Sequence, residues 1–279
     1  MNIINAIINI AQNPITEIKD FYKSNNRANA MGDALEEYVK DVFASTFHDD
    51  EQTRNRKLSE VFSYLGNTSN PPDAMLRGGD AIEVKKLEGD GQVPLNSSYP
   101  KHTLKSTNSK INSACREAEN WTEKDIIYVV GTVKKSNKLK NLCMIYGLDY
   151  CASDECYKKL EDAIKKGVEN VEDVELEKTN ELGHINKVDP LGITYMRIRG
   201  MWGIANPWKV FDYVHKRDDD KDFSFMCIIN EDKWKTLPNT RKLVELEREI
   251  AGLIIKDVEV KNPDNPAQLR KAKLITFEK

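Results

Sequence analysis

Pro72-Asp73-Ala74-Met75-Leu76-Arg77-Gly78-Gly79-Asp80-Ala81-Ile82-Glu83-Val84-Lys85 is the stretch on which the reading of this chain turns. Its two ends are short apolar runs, and Gly78-Gly79 between them is a turn signal, so the segment predicts two strands joined as a tight hairpin. Side chains alternate along a strand, which puts Glu83 and Lys85 on one face and Val84 on the other. A two-residue loop would pair Arg77 with Asp80 and turn Asp73 away from Glu83. A three-residue loop or a bulge pairs Asp73 with Lys85 and Met75 with Glu83, bringing both acids and the amine to one face. The second register is the expected one. Ala81, Ile82 and Val84 mark the strand as semi-buried, where Glu and Lys are costly without partners.

Two carboxylates and an ammonium gathered in this way suit metal-assisted cleavage of a phosphodiester. A hard cation must neutralise the charge that builds in the transition state, and Mg²⁺ prefers a few carboxylate oxygens plus retained waters to a closed protein cage. Asp73 and Glu83 would supply those oxygens, and Lys85 would position or activate the attacking water. Acid, gap, Glu-x-Lys also occurs by chance in charged proteins, so the competing reading is a solvated, merely charged hairpin. Upstream, Gly32 to Phe43 reads as a helix whose apolar stripe is Leu35, Val39, Val42 and Phe43. Glu36 borders that stripe and is expected to reach the metal directly or through water, with Glu37 solvated. The alternative is that Glu36 merely pairs with Lys40 at i,i+4.

With these elements in place, the chain resembles the NgoPII family of type II restriction endonucleases. The residues that carry the likeness are Ser24-Asn-Asn-Arg-Ala-Asn29, the Gly32-Asp-Ala-Leu-Glu-Glu helix, Phe62-Ser-Tyr-Leu-Gly-Asn67, Asn70-Pro-Pro-Asp73-Ala, Glu83-Val-Lys85, Leu95-Asn-Ser-Ser98 with Pro100-Lys101, and Arg197-Ile-Arg-Gly-Met-Trp-Gly203. It runs from Met1 through Asn262-Pro-Asp-Asn-Pro266 to Leu274-Ile-Thr276. The resemblance implies the PD-(D/E)XK nuclease fold, Mg²⁺-dependent cleavage of both strands of DNA, and a GGCC target protected in the host by a partner methyltransferase. A palindromic target implies a two-fold homodimer in which each subunit cuts one strand. A DNA-binding protein with a non-catalytic nuclease-like core is the reading from a different class.

Composition sets the outer bounds. With 279 residues, 39% of them hydrophobic, the chain can build one composite domain. Its catalytic core is expected over about 24–150 and its DNA-recognition elaboration over about 180–240. The fold class is α/β, a mixed central sheet flanked by helices. A net charge of −3 argues mildly against nucleic acid, but the distribution matters more than the sum. Residues 91–116 lack acids and carry Lys101, Lys105, Lys110 and Arg116, and 191–211 lack acids and carry Arg197, Arg199 and Lys209. The acids concentrated between Asp154 and Glu181 are expected to form a face turned from DNA. Arg197 and Arg199 fall on one side of a strand. They are the choice for base readout, since a guanidinium donates bidentately to guanine O6 and N7 and a GGCC half-site offers two guanines. Asn96, Ser97, Ser98, Lys101 and Lys105 interleave short hydrogen bonders with cations, as phosphate contacts require.

The remaining signals are quieter. Five Cys residues without paired metal spacing argue against a zinc site and suit reduced thiols in a cytoplasmic protein. Met1 to Ala11 lacks the basic start of a signal peptide and reads as an amphipathic helix with Asn2, Asn5 and Asn9 on its polar side. No segment is apolar enough to span a membrane. Trp202 and Trp208 read as core or interface residues, and His102, His184 and His215 as structural. Strands are expected over 125–133, 142–146, 193–199 and 223–229, and helices over 109–120, 154–166 and 242–255.

Overall fold

The computed structural model describes every residue except 25–30, 68, 134–137 and 180, and the side chains of residues 19, 24 and 31–33 also stand outside the description. Most of the Ser24-to-Asn29 motif therefore falls outside the described residues. The chain opens with four helices, α1 (Ile3–Gln12), α2 (Ile18–Ser24), α3 (Met31–Ala44) and α4 (Glu51–Val61). Strands β1 (Phe62–Tyr64), β2 (Ala74–Leu76), β3 (Ala81–Leu87), β4 (Val93–Asn96) and β5 (Thr103–Lys105) follow. After the short α5 (Ser113–Glu117) come β6 (Glu123–Val133), β7 (Leu139–Tyr146), α6 (Gly147–Tyr150) and α7 (Asp154–Glu169). Then come β8 (Glu175–Leu176), β9 (Gly183–Asn186), β10 (Tyr195–Ile198), β11 (Trp202–Ile204) and α8 (Pro207–Val210). The chain finishes with β12 (Ser224–Asn230), α9 (Glu231–Thr236), α10 (Thr240–Leu246), β13 (Leu253–Asn262) and β14 (Asn265–Glu278).

Among the described residues the central sheet has nine strands in the order β1-β2-β3-β6-β7-β12-β14-β13, with β5 added beside β6. β3–β6 and β7–β12 pair in parallel and the other neighbours antiparallel, so the sheet is mixed as expected. Each face buries its own apolar layer. Ile82, Val84, Ile127, Val129 and Met144 pack under α1 and α3 with Ile7, Leu35, Val39 and Phe43. Met75, Tyr128, Val130, Ile145, Met226 and Trp208 fill the opposite layer. A three-stranded sheet β10-β9-β8 and a two-stranded sheet β11-β4 stand off the centre. Among the described residues no helix is long and apolar enough to cross a membrane.

Three expectations change. Helix 109–120 shrinks to Ser113–Glu117, and the helix expected over 242–255 ends at Leu246. Leu253 to Val260 instead pairs along β14, the long-range ladder overriding a local pattern that reads either way. The asparagines of α1 do not mark a wetted side: Asn2 and Asn5 form a capping box, and buried Asn9 donates from Nδ2 to Val42 O at 2.7 Å. Ser224–Asn230, inside the span expected to elaborate the core, is a strand of the central sheet.

Candidate active site

The hairpin has the three-residue loop that the chemistry requires, but its pairing is shifted by two. Ala74 faces Ile82 and Met75 faces Ala81 across Arg77-Gly78-Gly79. Continuing that register sets Asp73 opposite Glu83, whereas the sequence reading placed it opposite Lys85 and placed Met75 opposite Glu83. Leu76 N bonds to Asp80 O at 2.9 Å and so closes the loop over residues 77–79, one residue earlier than the 78–80 of the expected pairing. The consequence for the site is unchanged, since both pairings have the same parity. Asp73 N donates to Ile82 O at 3.0 Å, and its carboxylate Oδ2 accepts from Val84 N at 2.6 Å. The acid is thereby hooked to the backbone next to Glu83.

Glu83 is 8% exposed, and its Oε1 lies 2.6 Å from Lys85 Nζ. Its Oε2 is buried with no hydrogen-bond partner among the described residues. Burial and the facing Glu83 push the Asp73 carboxyl up to about 7. Burial pulls the Lys85 ammonium down, but Glu83 and Asp73 outweigh it and leave it above its ordinary value. Lys85 is therefore a charged donor suited to holding a water and ill-suited to taking a proton. Val84 packs into the helix-side core, as alternation predicts.

Glu36 acts on this cluster from α3, raising both Asp73 and Lys85 electrostatically. It is Glu37, and not Glu36, that pairs with Lys40, at 2.7 Å, and Glu37 also meets Arg54 at 2.5 Å. Glu37 is thus no solvated residue. Arg54 Nε reaches buried Asp41 at 2.7 Å, and Tyr22 Oη donates to Asp41 at 2.8 Å. This network clamps α2, α3 and α4 together and fixes the face of α3 that carries Glu36.

The residues present fit a hard divalent cation. Two carboxylates converge, one with an orphaned buried oxygen, while among the described residues no group of three or more His, Cys, Asp or Glu is placed to hold a metal ion, so a cation here would rest on this pair and on water. That donor set matches a cation that keeps its waters.

Sequence reasoning missed the scaffold beneath the hairpin. Asp80 accepts from Tyr146 Oη at 2.8 Å and from Lys233 Nζ at 2.7 Å, and Lys233 also meets Asp125 at 2.5 Å. Buried Lys124 donates to Gly79 O at 2.7 Å and pairs with Glu119, whose other oxygen takes Gly78 N at 2.9 Å. Residues so far apart along the chain leave no sequence signal. Gly66 did leave one. It has φ +80, and a Cβ there would come within 2.4 Å of Asp73 O, so only glycine lets the Leu65-Gly66-Asn67 turn lie against the backbone of Asp73.

The expected DNA contacts divide. Asn96, Ser97, Lys105 and Arg199 line one open cleft of 740 Å³, together with Tyr99 and residues 107–110. Asp154, Glu161, Asp162 and Glu181 line the same cleft, so these acids, expected to turn away from DNA, share its walls and the cleft is of mixed charge. α7 buries none of its side chains, which lets its acidic side face the cleft. Arg197 and Arg199 point the same way, and each meets Glu181 at 2.6 Å. Lys105 lies 3.7 Å from Asp154. Lys101 departs from its expected surface role: it is 4% exposed, and its Nζ donates to Ser98 Oγ at 2.5 Å. Trp208 is buried, with Nε1 donating to Asn141 at 3.0 Å, and Trp202 packs edge-on to Tyr99 and Tyr157. His102 bonds to Cys151 O at 2.9 Å and His184 to Glu177 at 3.1 Å, while His215 Nε2 lies 3.7 Å from Glu278.

Comparison with known proteins gives a consistent result. The profile of the NgoPII restriction endonuclease family matches residues 1–261. A relative described as type II restriction enzyme NgoPII, from Neisseria gonorrhoeae, is 55% identical over 278 residues, covering 99% of this chain and 99% of its own. No solved structure matches.

Proposed function

The chain belongs to the NgoPII restriction endonuclease family, and from that membership we propose that the Asp73–Glu83–Lys85 site makes sequence-specific double-strand breaks in DNA as a type II restriction endonuclease. The observation that carries this reading is the orphaned Oε2 of Glu83, a buried anionic oxygen beside a second carboxylate and a charged lysine. An oxygen left so is expensive unless a cation meets it. We assign Mg²⁺ to Asp73 and Glu83, with Glu36 assisting its outer shell. Bound there, the ion would neutralise charge at the scissile phosphate and make a water more acidic.

The protein groups do the positioning. Val84 N–H holds one Asp73 oxygen and leaves the carboxylate aimed beside Glu83. Lys85, kept cationic by its neighbours, donates to the water that attacks in line and stabilises charge on the phosphate. The products are a 5′-phosphate and a 3′-hydroxyl. Asn96, Ser97, Ser98 and Lys105 support the phosphate backbone, and Arg197 and Arg199 exchange Glu181 for guanine edges. Family membership supports a GGCC target, a homodimer matched to the palindrome, and a methyltransferase that protects host sites.

Plasmid digestion in Mg²⁺ with fragment-end sequencing tests target and chemistry together. Discrete ends within GGCC are expected from the native protein and none in EDTA. Asp73→Ala, Glu83→Ala and Lys85→Ala should abolish cutting while retaining DNA binding in a shift assay. Undiminished turnover in any of the three would refute the assignment.

A further inference from the structure

We propose that Lys101 is a positioning residue of the cleavage reaction, a second buried ammonium that stands in for cationic charge beside Glu83 and pins the Leu95–Lys101 segment to β6, the strand paired with the one that carries Glu83. The inference rests on the metal-site reading of Glu83 and goes beyond it by giving the site's charge a resting balance.

A buried ammonium needs a counter-charge, because taking it out of water is costly. The group that Lys101 Nζ touches is a neutral hydroxyl, Ser98 Oγ at 2.5 Å. Burial holds the Lys101 ammonium below its ordinary value; Glu83 supplies the largest attraction that works against this, and Lys85 opposes it as a like charge. Backbone geometry explains the proximity. Lys101 N donates to Tyr128 Oη at 2.7 Å, and Tyr128 is the direct neighbour of Glu83 across the parallel β3–β6 pair. On its other side, Lys101 O lies where a Cβ on Gly147 would approach within 2.3 Å, so the segment is wedged against the start of α6. Lys101 is thereby fixed to the layer of the sheet that holds Glu83.

The charge inventory gives this placement a purpose. Glu83 and Glu36 both act electrostatically on Asp73 and on Lys85, and Lys101 adds a second ammonium to that field. Lys101 compensates at a distance and leaves Glu83 Oε2 open. Its segment also runs directly from Asn96 and Ser97 on the cleft wall, so one stretch of chain links the DNA-facing surface to the catalytic carboxylate.

A cation in place of a stand-in cation predicts opposed effects on two readouts. In Lys101→Met, Mn²⁺ should bind the DNA-free protein roughly three- to tenfold more tightly, since a like charge has been removed. The kcat for plasmid cleavage should fall at least about tenfold, and Lys101→Arg should return both values towards the native ones. Calorimetry with Mn²⁺ and steady-state cleavage, on protein shown folded by its melting transition, make the comparison. If Lys101→Met does not fold, Lys101→Gln carries the same expectation. Unchanged or weaker Mn²⁺ binding in a folded variant overturns the proposal. Native-like Mn²⁺ binding by Glu83→Ala would instead overturn the metal-site reading itself.

Discussion

Two hairpins carry the proposed chemistry, and they are built on opposite principles. The β2–β3 hairpin is held from outside at every part of its loop. Arg77 reaches Ser59 O at 2.8 Å and Phe62 O at 3.1 Å, Lys124 holds Gly79 O, Glu119 holds Gly78 N, and Tyr146 and Lys233 hold Asp80. The loop of the β9–β10 hairpin is held by its own residues. Asp189 accepts from Leu191 N at 3.0 Å, Ile193 N at 3.2 Å and Thr194 N at 2.7 Å, while Leu191, Ile193 and Tyr195 stand in solvent. Catalysis loses rate steeply with small misplacement, so its hairpin is over-determined. Recognition must trade a resting partner for a nucleotide, and ion pairs in solvent are cheap to exchange.

Breaking the scaffold of the first hairpin should give the largest effect. Lys233→Met strands Asp80 and Asp125 without their shared cation, and we expect a loss of about 2–4 kcal/mol in urea unfolding, the general value for a broken buried pair reduced because Asp125 is partly exposed. Loss of less than about 0.5 kcal/mol would show that the hairpin is not pinned from α9.

Acidity offers a subtler test of the same hairpin. Asp73 keeps its proton in the fold to about pH 7, whereas in the unfolded chain its ordinary value is 3.8. Between those values unfolding releases a proton, so this group's contribution to stability falls as pH rises. Melts in EDTA should therefore weaken from pH 5 towards pH 8, and Asp73→Asn should flatten the trend. A divalent cation should stabilise the protein more at pH 8 than at pH 5. Identical pH profiles for the native protein and the Asp73→Asn variant would remove Asp73 from the buried pair.

The second hairpin should respond in specificity before stability. Arg197→Ala is expected to cut discrimination between GGCC and single-mismatch sites roughly five- to a hundredfold, read by competitive cleavage. Unaltered discrimination would reduce Arg197 to a phosphate contact. The smallest effect belongs to Glu181→Gln, which frees both arginines: less than about threefold tighter binding to random DNA, fading as salt rises. A large change there would mean that the resting pair is a lock.

What the sequence could disclose follows the same division. Alternation placed Glu83 and Lys85 on one face, and the helical stripe of Leu35, Val39, Val42 and Phe43 is buried as a unit. The parity of the hairpin followed from chemistry, but its register did not, because Gly78-Gly79 marks a turn without saying which pair closes it. Leu76 and Asp80 close it, with φ +62 at Gly78. The helix expected through Ile255 failed because Leu243, Leu246, Ile250 and Leu253 have helical spacing, while the partner that makes 253–262 a strand lies in β14. Lys101 was assigned to the surface because a lysine beside Ser97-Ser98 looks like a phosphate contact. Its burial depends on Tyr128 and Gly147, which no local pattern connects to it.

The thiol inventory has a practical corollary. Cys115, Cys143, Cys151 and Cys227 are buried, and Cys156 alone of the five is exposed. It sits on α7 between Asp154 and Lys158, both of which border the cleft. A maleimide fluorophore should therefore attach at one defined position without substitution of the other four, giving an optical reporter of duplex arrival whose signal is independent of strand scission.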